Sequence, residues 1–411
     1  MFNFFRNKYD IIISAHDFGL GPTSIISQTL KNQRKYKFGL IGNKNQEDFI
    51  SKQGFKVKLL ADQYDYLNSK NIIKATVSCF DPMLVFSSWK RGIPVLYIDN
   101  LFWFWDFEEK KLQKTYDELV SLKEINNQDF DAKVKEIVDF NSHLPFVLAH
   151  LFSTESLIQR FGQTVKKRLK FIKKFNQNIS LFGALVPEKK YLNKTKSHKP
   201  VIYVQLGGML NPNTGLDFSK KYVNYVAQAL DQINKKDIYK VIFKVNPVFE
   251  SIKRNYKNLE IITNLSFRDH VSLVKNCDFL VLQPGQNGIY ESVYFSKNIF
   301  LLPEQTTSHT VHVKEMIKNG FVADQHMFFD FYDVKADKED TDYLVKGLNQ
   351  FRRDKAKLIN KIEEFLHKDK KLTTKEITTR YQVTKKLLGG FGGNETLIKT
   401  ADLFFKKFVE N

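Results

Sequence analysis

The chain has 411 residues, 42% of them hydrophobic and 27% charged, and a formal net charge of +19. That is too long for one ordinary core and too apolar for a disordered chain, so two or three globular domains are expected. Only two cysteines, Cys79 and Cys277, are present, which excludes a disulfide framework and reads as buried thiols in a reducing compartment. No apolar run of about 18 residues marks a spanning helix, and the first residues, MFNFFRNKYD, are too short and broken a stretch for a signal peptide. The positive charge is local: residues 151–200 hold 12 basic and 2 acidic residues, and residues 351–400 hold 13 and 6. A basic surface favours anionic partners such as phospholipid headgroups, nucleic acid or phosphorylated sugars; a solvated helix face is the plainer alternative.

In chain order, YDIIISA (9–15) is a continuous apolar run, as expected of a strand covered on both faces. HDFGLGPTS (16–24) is loop-like and IISQTLKNQ is helical. KYKFGLIG (35–42), FKVKLLA (55–61), MLVFSS (83–88) and IPVLYID (93–99) are further candidate strands. Residues 107–140 are charged and helical, 144–161 predict another helix, and NISLFGALVP (178–187) a last strand running into a loop. EKKYLNKTKSHKP (188–200) has no hydrophobic periodicity and is the linker. The pattern then restarts with VIYVQLGG (201–208), a strand ending in a glycine pair, and the helical KYVNYVAQALDQI (221–233). YKVIFKV (239–245), LEIIT (259–263), DFLVLQ (278–283) and NIFLLP (298–303) are buried strands. This alternation predicts an α/β chain with two Rossmann-like parallel sheets, residues 1–187 and 201–335, joined by 188–200 and followed by a helical tail over 336–411. GGFGG (389–393) breaks the tail's helices as a hinge or helix stop.

One stretch carries chemistry. In LQPGQNGIYESVYF (282–295) a buried strand hands over to a helix through glycines, amides and one acid. In open parallel sheets ligands bind beyond the carboxyl ends of the strands. Glycine admits a phosphate to the backbone, and a helix N-terminus offers free N–H groups and a favourable dipole. Amide side chains donate to phosphate oxygens, and a carboxylate one turn into the helix accepts ribose hydroxyls. The layout suits a nucleoside diphosphate.

The stretch resembles the donor-site motif of GT-B-fold glycosyltransferases that use nucleotide sugars. In the UDP-glycosyltransferases that motif reads H-C-G-W-N-S, then two residues and a Glu. Here Gln283, Pro284, Gly285, Gln286, Asn287 and Gly288 occupy the run and Glu291 falls in register. The lipid-linked N-acetylglucosaminyltransferases of cell-wall synthesis are similar in their Gly-to-Glu spacing. SKNIFLLP and VHVKEMIKNGFV resemble the segments that follow, and SAHDFGLGPTSIISQTL, with Gly19 and Gly21, more loosely resembles the acceptor-side glycine loop. The resemblance implies two domains facing a cleft, the donor on the second and the acceptor on the first. It implies that Glu291 holds the ribose hydroxyls. Gln283, Gly285, Gln286, Asn287 and Gly288, with Gly207 and Gly208, would lie at the diphosphate, and the backbone near Ser266 and Phe267 at the base. The family often has Asp-Gln after the proline for the sugar hydroxyls; PEQTTSHTVH offers Gln305, Thr307, Ser308 and His309 instead.

Inverting sugar transfer needs a base on the acceptor side. His16 follows the first strand, Asp17 is adjacent, and Thr23 can equally take the loop position; Asp99, ending IPVLYID, could orient the base or act alone. No metal site is expected. Asp129 and Asp131 fall in a charged helix, and His309 and His312 belong to no convincing ligand set. FWFWDF (102–107), with Trp103 and Trp105, is an acceptor pocket, a membrane-dipping patch, or packing against the helices that follow. The leading reading is an inverting glycosyltransferase with UDP-sugar as donor substrate, no cofactor and an unidentified acceptor. Its expected location is cytoplasmic, with an anionic membrane surface as a further candidate partner. The alternatives are a UDP-N-acetylglucosamine 2-epimerase-like enzyme and a basic nucleic-acid-binding or DNA-modifying protein of the same fold.

Overall fold

The structure, a computed structural model, describes residues 9–16, 20–60, 64–68, 73–140, 142–187, 198–206, 214–263, 265–332, 341–368 and 371–410. Two compact units divide the chain: residues 1–183 with 387–411, and residues 184–386.

The first unit is built on β1 (Ile11–Ala15), β2 (Lys37–Ile41), β3 (Lys56–Leu59), β4 (Ala75–Cys79), β5 (Val95–Asp99), β6 (Glu155–Gln159) and β7 (Ile179–Phe182), in the spatial order β3-β2-β1-β4-β5-β6-β7. Every pairing is parallel. β1, β4 and β5 are buried along their whole length; β1 and β5 read as apolar runs for that reason, whereas β4, ATVSC, is interrupted by Thr76 and Ser78 and escapes the sequence reading as a strand. The connecting helices are α1 (Gly21–Thr29), α2 (Lys44–Lys52), α3 (Pro82–Lys90), α4 (Glu109–Ser121), α5 (Asn127–Ile137), α6 (Leu144–Phe152) and α7 (Gly162–Ile172).

Two expectations are corrected. MLVFSS is not a strand but the body of α3. Asp81 accepts the Leu84 N–H as its N-cap and Pro82 opens its first turn, while residues 82–88 are all buried. A wholly buried helix shows no periodicity, and the cap and proline carry the signal. Nor is 144–161 one helix: α6 ends at Phe152, and Glu155–Gln159 leaves as β6.

The second unit carries β8 (Val201–Gln205), β9 (Lys240–Lys244), β10 (Glu260–Ile262), β11 (Phe279–Leu282), β12 (Ile299–Leu301) and β13 (Asp324–Gln325), in the order β10-β9-β8-β11-β12-β13, again all parallel. Its helices are α8 (Gly215–Ile233), α9 (Phe267–Asn276), α10 (Gln286–Tyr294), α11 (Thr307–Lys318), α12 (Asp342–Arg353), α13 (Lys355–His367) and most of α14 (Thr374–Leu388). Register separates the two faces of the sheet. Ile202, Val204, Val241, Phe243, Phe279 and Val281 join one apolar core with residues of α8, α12 and α13. Tyr203, Gln205, Lys244 and Leu282 alternate with them and so point to the other face, toward α9 and α10.

The helical C-terminal tail is present and divided. α12 and α13 complete the second unit's core. α15 (Gly393–Phe408) belongs to the first unit, where Asn32 and Gln33 each donate to Asp402. Between α14 and α15, Gly389 and Gly390 take φ +77° and +127°, so GGFGG is a helix stop. Among the described residues, no helix is long and apolar enough to cross a membrane. Both cysteines are buried and unpaired.

Candidate active site

In each sheet the strand order reverses once, between β1 and β4 in the first unit and between β8 and β11 in the second. Such a switch point opens a crevice at the strands' carboxyl ends, and most of the predicted residues fall at these two edges.

At the second unit's edge, β11 ends at Leu282 and Gln283 follows. Gly285 caps α10 in ordinary extended backbone, φ −70°. A side chain there would meet nothing within 4 Å. The glycine is therefore not required by the turn, and its effect is to leave space open before the helix N-terminus. Around that space lie Gln205, Gln283 and Asn287. The side-chain oxygen of each is buried without a hydrogen-bond partner among the described residues. Gly288 is buried, and a side chain on it would approach the Gln205 oxygen to 3.6 Å. Gln286 is buried in the first turn of α10. Buried amides without partners are costly in a finished core, and a water or a ligand at this edge would complete their bonding.

Glu291 lies one turn into α10 but is not an open carboxylate. It is 6% exposed, and His270 Nε2 lies 2.9 Å from its Oε2. His270 Nδ1 in turn faces the Tyr203 hydroxyl at 2.9 Å. Lys244, at the end of β9, is half-buried; loss of solvent pushes its ammonium pKa down and the nearby Glu291 pulls it up. Ser266 caps α9: its hydroxyl accepts the Asp269 N–H and donates to the Asp269 carboxylate, leaving Phe267 as the first helical residue. Gln305 is buried, and its N–H points at His309 Nδ1, 3.4 Å away. His309 Nε2 sits 3.4 Å from the Gln283 amide, and burial pushes the His309 pKa down to about 4, so the ring is neutral near pH 7. Glu304 does not face this edge: it is fully buried and accepts the N–H groups of Phe328 and Phe329. Gly207 and Gly208 lie outside the described residues.

At the first unit's edge, His16 follows β1 and its N–H bonds to the Cys79 carbonyl at 2.9 Å, which ties the loop to the end of β4. Its ring is half-buried against Phe146. Asp17 and Gly19 lie outside the described residues. Gly21 opens α1, and a side chain there would meet nothing within 4 Å. Thr23 is fully buried in α1, and its hydroxyl has no hydrogen-bond partner among the described residues.

Two expectations for this unit are corrected. Asp99 is fully buried and accepts from the Leu101 N–H at 2.7 Å and the Trp105 indole at 2.8 Å, with His150 Nε2 at 3.0 Å. It has no face left for a substrate and cannot serve as the base. Trp103 and Trp105 are 5% and 3% exposed, so they form no membrane-dipping patch. Trp105 stacks on Phe146, 4.4 Å away at 13°, and Trp103 lies 4.4 Å from Phe161. Phe146 links this aromatic run to the His16 ring, 5.7 Å away.

Sequence reading missed Asp81. It stands just past β4, 8% exposed, and accepts from the Ser14 hydroxyl at 2.6 Å and the Tyr64 hydroxyl at 2.9 Å. Burial pushes its carboxyl pKa up against the pull of these bonds. Phe80 beside it holds φ +60°, a strained conformation for an aromatic residue. The available signal was Asp-Pro directly after an apolar run, masked by reading MLVFSS as a strand. Among the described residues, no group of three or more His, Cys, Asp or Glu could hold a metal ion.

No protein-family description matches the chain, and no curated protein does. Solved structures do match over nearly its full length. The glycotransferase of kitacinnamycin is 12% identical, with 98% of this chain and 100% of that one covered and a TM-score of 0.50. Arabidopsis thaliana UGT89C1, complexed with quercetin, is 12% identical over 97% and 100%, with a TM-score of 0.52. A protein from Listeria monocytogenes solved as a candidate UDP-N-acetylglucosamine 2-epimerase is 10% identical over 98% and 97%, with a TM-score of 0.52. Two parallel Rossmann-like sheets in one chain, matched from end to end by these structures, give the protein the GT-B fold.

Proposed function

We propose that the protein is an inverting glycosyltransferase that moves a sugar from a nucleotide sugar, a UDP-sugar, to an acceptor hydroxyl, with no metal or other cofactor. The observation that carries this is the open N-terminus of α10, with Gly285 bare and the oxygens of Gln205, Gln283 and Asn287 unpartnered around it. Helix dipole and N–H groups stabilise the diphosphate and then the leaving UDP. Ser266 and Phe267 lie toward the base, and Gln305 and the neutral His309 toward the sugar. His16 is the base, and Asp81, the N-cap of α3 just past the neighbouring β4, is a buried carboxylate of the same sheet edge. The fold of the solved relatives supports a sugar-nucleotide enzyme; among them, UGT89C1 was solved with quercetin. An epimerase would need several acidic and basic groups free around the sugar; at the described edge of the second unit Glu291 is engaged by His270, and the unpartnered side-chain oxygens are those of amides.

Beyond the donor, the exposed Lys166, Lys167, Lys170, Lys173 and Lys174 on and after α7 support an anionic partner surface. The deciding experiment is a thermal-shift panel of nucleoside diphosphates and their sugars. A ligand at about 100-fold over its Kd adds roughly 2.7 kcal/mol, so UDP should raise Tm more than ADP or GDP. Equal, null shifts for all of them remove the donor site.

A further inference from the structure

The pair formed by Glu291 and His270 is not explained by nucleotide binding alone. Tyr203 is fully buried in β8, His270 is 5% exposed on α9, and Glu291 is 6% exposed on α10, so two helices and the sheet meet at one hydrogen-bonded chain. Its direction follows from donor chemistry. The Tyr203 hydroxyl donates to Nδ1, which puts the ring proton on Nε2, and Nε2–H donates to Oε2 of Glu291. Each of the two contacts then has one donor and one acceptor. No described residue donates to the other carboxylate oxygen, Oε1.

Lys244 is the second element. It ends β9 directly across from Gln205 of β8, on the sheet face that α9 and α10 cover. Its ammonium makes no hydrogen bond or ion pair with any described residue, although the side chain is half-buried. Glu291 is the carboxylate whose charge reaches it. A half-buried ammonium beside a half-engaged carboxylate is a donor and an acceptor left waiting for the same partner. A hydroxyl, which donates one proton and accepts another, fits both.

We propose that Tyr203 and His270 are positioning residues that hold Oε2 of Glu291 inside the unit, so that Oε1 together with the Lys244 ammonium grips one ribose hydroxyl of the nucleotide. The inference rests on the donor-site reading above and narrows it: the acid does not take both hydroxyls equally. Discrimination between 2′-hydroxyl and 3′-hydroxyl is built into the protein by the residue that occupies the other oxygen.

The test is calorimetric binding of UDP, 2′-deoxy-UDP and 3′-deoxy-UDP to the full chain. For the wild type, loss of one hydroxyl should weaken binding roughly 10- to 100-fold, the range of a charge-assisted hydrogen bond, and loss of the other only a few-fold. His270→Leu should collapse that ratio toward one, because Glu291 then turns freely. His270→Gln, whose amide N–H can still donate to Oε2, should restore it. Tyr203→Phe, which removes a single oxygen from a buried ring, should move the ratio in the same direction as His270→Leu even if the latter folds poorly. Lys244→Met should weaken UDP while sparing the deoxy form that has lost the gripped hydroxyl. A wild-type ratio near one, or an unchanged ratio in both His270→Leu and Tyr203→Phe, overturns the inference while leaving the donor site standing. A wild type that binds none of the three overturns the donor-site reading as well.

Discussion

The two units share a parallel topology, yet a polar network beside β5 and β6 of the first and the switch-point edge of the second treat buried polar groups differently. Around β5 and β6 of the first unit a set of polar side chains is closed upon itself, although the Thr23 hydroxyl and the Gln159 side-chain oxygen of that unit are buried without partners among the described residues. Asp99 engages His150 and Trp105, and His150 faces Ser156, which shares a hydrogen bond with Ser153. Asn176 donates to the carbonyls of His150 and Ser153. In the second unit, Gln205, Gln283 and Asn287 keep oxygens without partners beside a bare helix N-terminus. A closed network rigidifies a scaffold, whereas an open one is stable only when something else completes it. The contrast is between a network that fixes the chain after β5 and an edge whose amide oxygens are left for another partner.

Breaking the closed network should have the largest effect. Asp99→Ala leaves an indole N–H, a backbone N–H and a histidine without their acceptor. The expected loss is about 3–5 kcal/mol, read from denaturant unfolding followed by tryptophan fluorescence, since Trp105 reports on that site. A loss under about 1 kcal/mol would mean that the network is ornamental.

Acid should distinguish the units next. In the second, burial lowers the pKa of His309 to about 4, of His312 to about 3 and of His326 to about 4. A base with a depressed folded-state pKa binds protons more weakly folded than unfolded. Its contribution is therefore intact above the unfolded value near 6.5 and is lost as pH falls toward 4. Glu304 opposes this: burial raises its pKa to about 7, so its share is present below its unfolded value near 4.5 and is lost as pH rises through 7. Three histidines outweigh one acid, so stability should fall between pH 6.5 and 4. His326→Phe should flatten the slope; an unchanged slope would show that the histidine is not buried in solution.

The smallest effect on stability, and the sharpest on binding, is expected at Gly285. Its φ is open to any residue and its surroundings are empty, so Gly285→Ala should change stability by less than about 0.5 kcal/mol. Nucleotide affinity should nevertheless drop by about tenfold or more, because the methyl group occupies the approach to the helix N-terminus. Equal affinity in the two proteins would place the ligand elsewhere.

The sequence by itself determined the α/β alternation, the two sheets and the donor-edge stretch 282–291, because apolar runs, glycines and helix caps act over a few residues. It set the strand-to-helix turn and put Glu291 one turn in. Tertiary structure decided what each acid does. Asp99, at a strand end, and Glu291, in a helix, both read in sequence as acids facing a ligand, yet one is sealed by an indole and a histidine and the other keeps an oxygen free, because His150 lies 51 residues from Asp99 and His270 lies 21 from Glu291. MLVFSS shows the same limit: burial on all sides erases the periodicity that separates helix from strand. The tryptophans of FWFWDF likewise suggested a surface, and only the stacking of Trp105 on Phe146, which α6 supplies 41 residues later, turned them inward. Partners so far apart in sequence meet only once the sheet is formed, so their charges and exposures are properties of the fold and not of the local sequence.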